Sequence, residues 1–265
     1  MRACLLALVL LLSGLPAVAQ QATMRALQTS DDGKGWEAVG RIELGDRGFC
    51  TGALIADDLV LTAAHCLFDK ETGARLDAAE LRFLAGWRNG RAEAYRGISR
   101  ALAHPDYRFV PGEDLANTGV DVALLRLDQP IRLPQVTPFA TDAQPRMGDE
   151  VGIVSYAKDR SEAPSLQEVC KIMAQRSDLM ILTCAVEFGA SGAPVFSIKD
   201  GQVRIVSVVS AKAEVAGKPV ALAVPLQVPL AALQAEMALD APRVTQGVKV
   251  LSGGSGGAKF VKVAP

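Results

Sequence analysis

The sequence predicts an all-β protein, and three observations predict it. Its apolar runs are short, glycine, proline and aspartate turn signals separate them at close intervals, and only one stretch, near the C-terminal end, has a helical period. Short strands divided by turns at that density build sheets or barrels, whereas strands alternating with helices would build a parallel sheet.

Strand-like sequence begins at Val39-Gly-Arg-Ile-Glu-Leu44. Gly45-Asp-Arg-Gly48 is a hairpin signal, and Phe49 to Ile55 forms the returning strand. Asp57-Asp58 turns the chain into Leu59 to Ala63. After a surface loop at Lys70-Glu-Thr-Gly73, further strands are expected at Arg82 to Trp87 and Ile98 to His104. Residues 109–117 read as a loop, and Asp121 to Leu127 as a buried strand stopped by Gln129-Pro130.

The second half repeats the theme without an evident internal repeat. Strands are expected at Met147 to Tyr156, Leu166 to Met173 and Leu179 to Ala185, the last two joined through Arg176-Ser-Asp178. Val195 to Ile198, Val203 to Ser210 and Val220 to Val224 follow, divided by Asp200-Gly201 and Gly217-Lys-Pro219. Pro229 to Met237 is the convincing helix: Pro229 suits a first turn, and Leu230, Leu233 and Met237 share one face. It is expected to pack on the second half of the fold.

The two ends have their own character. Residues 1–19 carry Arg2, the apolar run Leu5 to Leu12 and Pro16-Ala-Val-Ala19 before Gln20, which reads as a secretory signal peptide; the run is too short for a membrane span. About 246 residues would then remain, with no later membrane segment expected. Residues 20–38 are polar and glycine-bearing, a leader or possible short propeptide, and residues 241–265 form a tail made flexible by Ser-Gly-Gly-Ser-Gly-Gly.

Charge is balanced, 28 basic against 29 acidic side chains, so no basic block invites nucleic acid. Aromatic residues make up 5% of the chain, too few to advertise stacking platforms. Cys4 leaves with the signal peptide, and Cys50, Cys66, Cys170 and Cys184 remain, an even number suited to an oxidising compartment. Four cysteines allow three pairings. A zinc site is a poor competitor, because the spacing is not that of a ribbon or finger.

Chemistry concentrates at Glu187-Phe-Gly-Ala-Ser191-Gly-Ala-Pro194, a serine between glycines where the backbone can approach a substrate and aim its N–H groups at developing charge. Alone, that motif reads equally well as a turn. Two upstream segments strengthen it: Leu59-Val-Leu-Thr-Ala-Ala-His65-Cys66 puts a histidine at the end of an apolar run, and Gly119-Val-Asp121-Val-Ala-Leu-Leu-Arg-Leu127 puts an acid at the head of another. His104, the other histidine, sits in His-Pro-Asp-Tyr and reads as a residue packed beside a turn.

In the order His, Asp, Ser, these segments resemble those of the chymotrypsin/trypsin-like serine proteases, over roughly residues 38–238. The resemblance implies two six-stranded antiparallel β-barrels with a C-terminal helix: a first barrel over 39–135 carrying His65 and Asp121, and a second over 136–240 carrying Ser191. It implies His65 as general base, Asp121 as the group that orients it, Ser191 as nucleophile, and the Gly189 and Ser191 N–H groups as oxyanion donors. It also favours pairing Cys50 with Cys66, which leaves Cys170 with Cys184. For the primary pocket it points to Ala185, six residues before Ser191, and to Ser210-Ala211-Lys212 as the strand that meets the substrate backbone, with Ser207 as a rival for that serine.

Three positions depart from the family. Ala190 stands where an aspartate usually pairs with a newly cut N-terminus, Ala38 rather than a basic residue precedes Val39, and Ala193 replaces a glycine. The turn is therefore expected to be ordered without activation cleavage. Ala185 does not support a preference for basic residues; a small or apolar primary residue is expected, while Lys212 could favour an acidic one unless it snorkels to solvent or Glu187 neutralises it.

The expected protein is thus a secreted or periplasmic endopeptidase, monomeric, acting on polypeptide with neither cofactor nor metal. The competing readings are a catalytically silent binding protein, which loss of a triad residue would have supported, and an esterase on the same fold. The α/β-hydrolase order, Ser before acid before His, is not found here.

Overall fold

A computed structural model describes residues 24–110, 115–142, 145–239, 249–250 and 261–262. The proposed signal peptide lies outside the described residues, as does the tail apart from two short strands. Those described form two closed six-stranded antiparallel β-barrels and one helix of the chymotrypsin-like type.

The first barrel is built from β2 (Val39–Leu44), β3 (Phe49–Ala56), β4 (Leu59–Thr62), β5 (Leu81–Ala85), β6 (Ala94–Ala103) and β7 (Ala123–Leu127), following β1 (Met24–Ala26) in the chain. It closes in the order β2-β3-β4-β7-β6-β5. The hairpin signal at Gly45–Gly48 sets β2 against β3, with Ile42 opposite Cys50 and Arg41 opposite Thr51. Alternation along β2 sends Ile42 and Leu44 into a core shared with Leu54, Leu61, Phe83 and Leu125.

The second barrel comprises β8 (Glu150–Ala157), β9 (Arg160–Gln175), β10 (Met180–Leu182), β11 (Pro194–Lys199), β12 (Gln202–Val215) and β13 (Lys218–Pro225). Its own core holds Val151, Ile153, Ile172, Leu182, Val195 and Val209. β9 starts well before the expected Leu166: Lys158 and Asp159 make a tight turn from β8, and the charged run to Glu162 is already strand.

Between the barrels lies an aromatic seam. Phe196 of β11 meets Trp36 and Phe139 with ring centroids 5.0 and 4.7 Å apart, and Tyr156 is fully buried in the same core, its hydroxyl donating to the Trp87 carbonyl. Burial raises the Tyr156 phenol well above its ordinary value, so it stays a neutral donor. Edge-on aromatic pairs set a positive ring edge against a negative ring face and so add to the gain from buried area alone.

Residues 24–38, expected as a leader or short propeptide, pack onto this body. β1 pairs with β9, Met24 opposite Gln167, and Leu27 is completely buried with its N–H donating to Pro164. Asn89 donates to the Gln28 carbonyl, so the arm touches both barrels.

α1 (Gln227–Leu239) buries Pro229, Leu230, Leu233 and Met237, the face the sequence marks. Its partner differs from expectation. The helix packs chiefly against β6 and β7 of the first barrel, and Arg100 of β6 donates to the Met237 carbonyl. Amphipathic spacing fixes which face of a helix is buried and carries no information about which sheet covers it. In the tail, β14 (Lys249–Val250) pairs with β15 (Val261–Lys262).

Candidate active site

β4 ends at Thr62, and the chain tightens into a 3₁₀ turn, Ala64–Leu67, that carries His65. The Cys50–Cys66 disulfide ties this turn to β3, while Cys170–Cys184 joins β9 to the segment after β10. Cys50, Cys66 and His65 have donor atoms within 4.8 Å of one another, but both sulfurs are bonded to each other and offer no thiolate to a metal.

Asp121 follows the 3₁₀ turn Leu115–Val120 and precedes β7, buried to 4% exposure. It accepts two bonds from one residue: the His65 N–H at 2.9 Å on Oδ1, and His65 Nδ1 at 2.7 Å on Oδ2. A carboxylate only accepts, so the imidazole proton sits on Nδ1 and the Nε2 lone pair faces away from Asp121. Oδ2 also accepts from the Ser210 hydroxyl at 2.5 Å.

Ser191 reaches the same place from the second barrel. It lies in the turn before β11 and lines one cavity together with His65, Asp121, Val186, Glu187, Phe188, Val209, Ser210, Ala211 and Lys212. Across the cavity stand Lys70, Tyr107, Arg108, Phe109 and Val110. The turn is tightly held. The Ser191 carbonyl accepts from Thr51 N–H, Gly192 N–H donates to Val209, and Ala193 N–H donates to Ala190.

Glycine is required on both sides of the serine. Gly189 and Gly192 have φ of 99° and 78°, and a Cβ at Gly192 would run into Thr62 Oγ1 and the Thr51 carbonyl. The close fit brings the first barrel directly against the turn.

The two serines of β12 are separated by their environment. Ser207 is buried and donates to the Val224 carbonyl, whereas Ser210 faces the cavity and Asp121. Ala211 and Lys212 also line the cavity, but Ala185 does not; Val186 takes the wall there. Lys212 Nζ lies 3.1 Å from Glu187 Oε2 and 4.2 Å from the Phe188 ring centroid, so its charge is engaged at the cavity mouth.

His104 is nearly buried and accepts the Asp106 N–H at Nδ1. Burial pushes its imidazole below the ordinary value against the pull of Asp106 and Glu236. It packs beside its turn as the sequence suggests, and it does not line the cavity.

Sequence reasoning missed Thr51 and Lys158. Thr51 Oγ1 donates to the Gly189 carbonyl, and the Lys158 N–H donates to the Phe188 carbonyl, at 2.8 Å in each case. The only signal for Thr51 was its place beside Cys50 in the strand that leads to the histidine turn; for Lys158 there was none.

A family model for the trypsin-like peptidase domain matches residues 50–204. Among curated proteins, glutamyl endopeptidase of Bacillus licheniformis is 26% identical over 151 residues, covering 56% of this chain and 45% of its own length. Trypsin of Phaedon cochleariae is 32% identical over 88 residues, 33% of this chain and 30% of its own. Vitamin K-dependent protein C of Rattus norvegicus is 40% identical over 85 residues, 32% of this chain and 16% of its own. The chain thus spans less than half the length of each of these relatives. Two solved structures share the fold: a Glu endopeptidase in complex with MPD (TM-score 0.64, 17% identity, 77% of this chain and 92% of that one) and a thermostable serine protease from an extremophilic microorganism (TM-score 0.62, 16% identity, 77% and 98%).

Proposed function

The chain belongs to the trypsin-like peptidase domain family, and from that premise we propose that it is a secreted serine endopeptidase acting through an acyl-enzyme on Ser191. The observation that carries this reading is the His65 Nδ1–Asp121 Oδ2 bond of 2.7 Å, whose imidazole lines the same cavity as Ser191.

A serine hydroxyl attacks a carbonyl only when a base takes its proton. His65 Nε2 accepts the Ser191 proton as Oγ bonds to the scissile carbonyl carbon, and then gives it to the leaving amine as the C–N bond breaks. Asp121 holds the tautomer and stabilises the imidazolium, with the His65 N–H and the Ser210 hydroxyl keeping the carboxylate in place. The N–H groups of Gly189 and Ser191 receive the oxyanion; removing one such donor typically costs about 3 kcal/mol of the barrier lowering. Water then repeats the sequence on the acyl-enzyme.

The primary pocket takes a small or apolar side chain. Val186, Val209 and Ala211 give it apolar walls, and Lys212 is paired with Glu187. Residues 1–19 direct export, in keeping with two disulfides and with the absence, among the described residues, of a helix long and apolar enough to cross a membrane.

A fluorophosphonate probe read by intact mass tests the reading. Stoichiometric labelling that disappears in Ser191→Ala is expected; a folded, disulfide-bonded protein that takes up no label would overturn it.

A further inference from the structure

A trypsin-like site needs its oxyanion turn held in one shape, and here Ala190, fully buried, cannot form the ion pair that commonly holds it. We propose that Thr51 is the positioning residue that orders this turn, so that the enzyme is competent without activation cleavage. This rests on the reading of Ser191 as the nucleophile.

Thr51 lies in β3 with no exposed surface, and each of its polar groups is committed. Its N–H donates to the Ser191 carbonyl at 2.9 Å, and its carbonyl accepts from Thr62 Oγ1 at 2.8 Å. Its hydroxyl donates to the Gly189 carbonyl at 2.8 Å and accepts the Tyr156 N–H at 3.1 Å. One side chain therefore links the first barrel, β8 of the second barrel and the turn itself. Because the hydroxyl has a single proton and the Tyr156 N–H can only donate, that proton must go to Gly189.

The peptide planes give this bond its leverage. Carbonyl and N–H point in opposite directions across a trans peptide, so pinning a carbonyl aims the next residue's N–H. Lys158 N–H pins the carbonyl of Phe188 and thereby aims the N–H of Gly189; Ala193 N–H pins Ala190 and aims the N–H of Ser191. Between these two planes lies the Gly189–Ala190 peptide, reached through a glycine at φ 99°, where the backbone rotates most freely. Thr51 Oγ1 holds that carbonyl, and Ala190 N–H donates to Glu187 on the other side. Without the hydroxyl, the glycine hinge between the two oxyanion donors has lost its anchor on the carbonyl side.

The test compares Thr51→Val, which keeps the shape and deletes the hydroxyl, with Thr51→Ser, which restores it. Thr51→Val is expected to lower kcat about tenfold or more with KM within about twofold, and to weaken a peptide boronate in step with kcat. Thr51→Ser is expected to recover most of the loss. Equal kcat in wild type and Thr51→Val, or equal loss in the Val and Ser variants, overturns the proposal. Where Thr51→Val does not fold, Thr51→Ala is compared with Thr51→Ser in the same way. Should the wild type itself prove inert, the functional reading fails, and crystal structures still decide this one: a Gly189–Ala190 peptide unchanged in Thr51→Val overturns it, and a rotated one supports it.

Discussion

The hydroxyl of Ser210 donates to Asp121 Oδ2 across the barrel interface at 2.5 Å, on the same oxygen that His65 Nδ1 uses. The proposed orienting acid of one barrel is thus held by a residue of the other. Ser210→Ala leaves that oxygen with one donor fewer in a buried setting, and it is expected to lower kcat about tenfold with a smaller change in KM. Steady-state kinetics on a peptide substrate check this; an unchanged kcat would mean that His65 alone holds the carboxylate.

Glu187 sets the charge at the cavity mouth by engaging Lys212 at 3.1 Å. Both side chains are well exposed, so the pair itself is weak. Glu187→Gln releases Lys212, and turnover of substrates with an acidic primary residue is expected to rise about three- to fivefold relative to alanine or valine. A peptide library profiled on both proteins measures the ratio. A wild type that already prefers acidic residues would show instead that Glu187 yields Lys212 to the substrate.

His104 makes stability depend on pH. Burial holds its folded imidazole below the ordinary value of about 6.5, and Nδ1 is occupied as an acceptor. As pH falls through that value the unfolded chain binds the proton first, so the contribution, complete above it, is lost toward the lower folded value. His104→Gln should narrow the difference in Tm between about pH 8 and about pH 5.5 relative to wild type. Parallel Tm profiles for the two proteins would exclude His104 as the source.

Leu27 anchors the N-terminal arm. Its complete burial and its bond to Pro164 predict that Leu27→Ala costs about 2–5 kcal/mol in a denaturant titration. A change below about 0.5 kcal/mol would show that the arm detaches without consequence to the barrels.

The strands around the site were legible because local chemistry and burial agree there. The run Leu59 to Thr62 leads to His65, Asp121 precedes Ala123–Leu127, and glycines bracket Ser191. What stayed hidden depends on distant partners. Met24–Ala26 has exposed side chains and becomes a strand only because β9 offers it an edge. Arg160 to Glu162 falls in none of the expected elements, yet it is strand: Arg160 is partly buried, donating to Ser155, and its guanidinium is drawn below its ordinary value by that burial. Thr51 looks like any β-branched residue in a strand, because the acceptor that gives its hydroxyl a purpose lies 138 residues away.

The division of the site between the barrels also sets when it can exist during synthesis. The ribosome delivers His65 and Asp121 long before Ser191, and Ser210 and the strands that seat it come later still. The proposed reactive centre is therefore complete only after Ser191, Ser210 and the strands that seat them have been made and have met the first barrel.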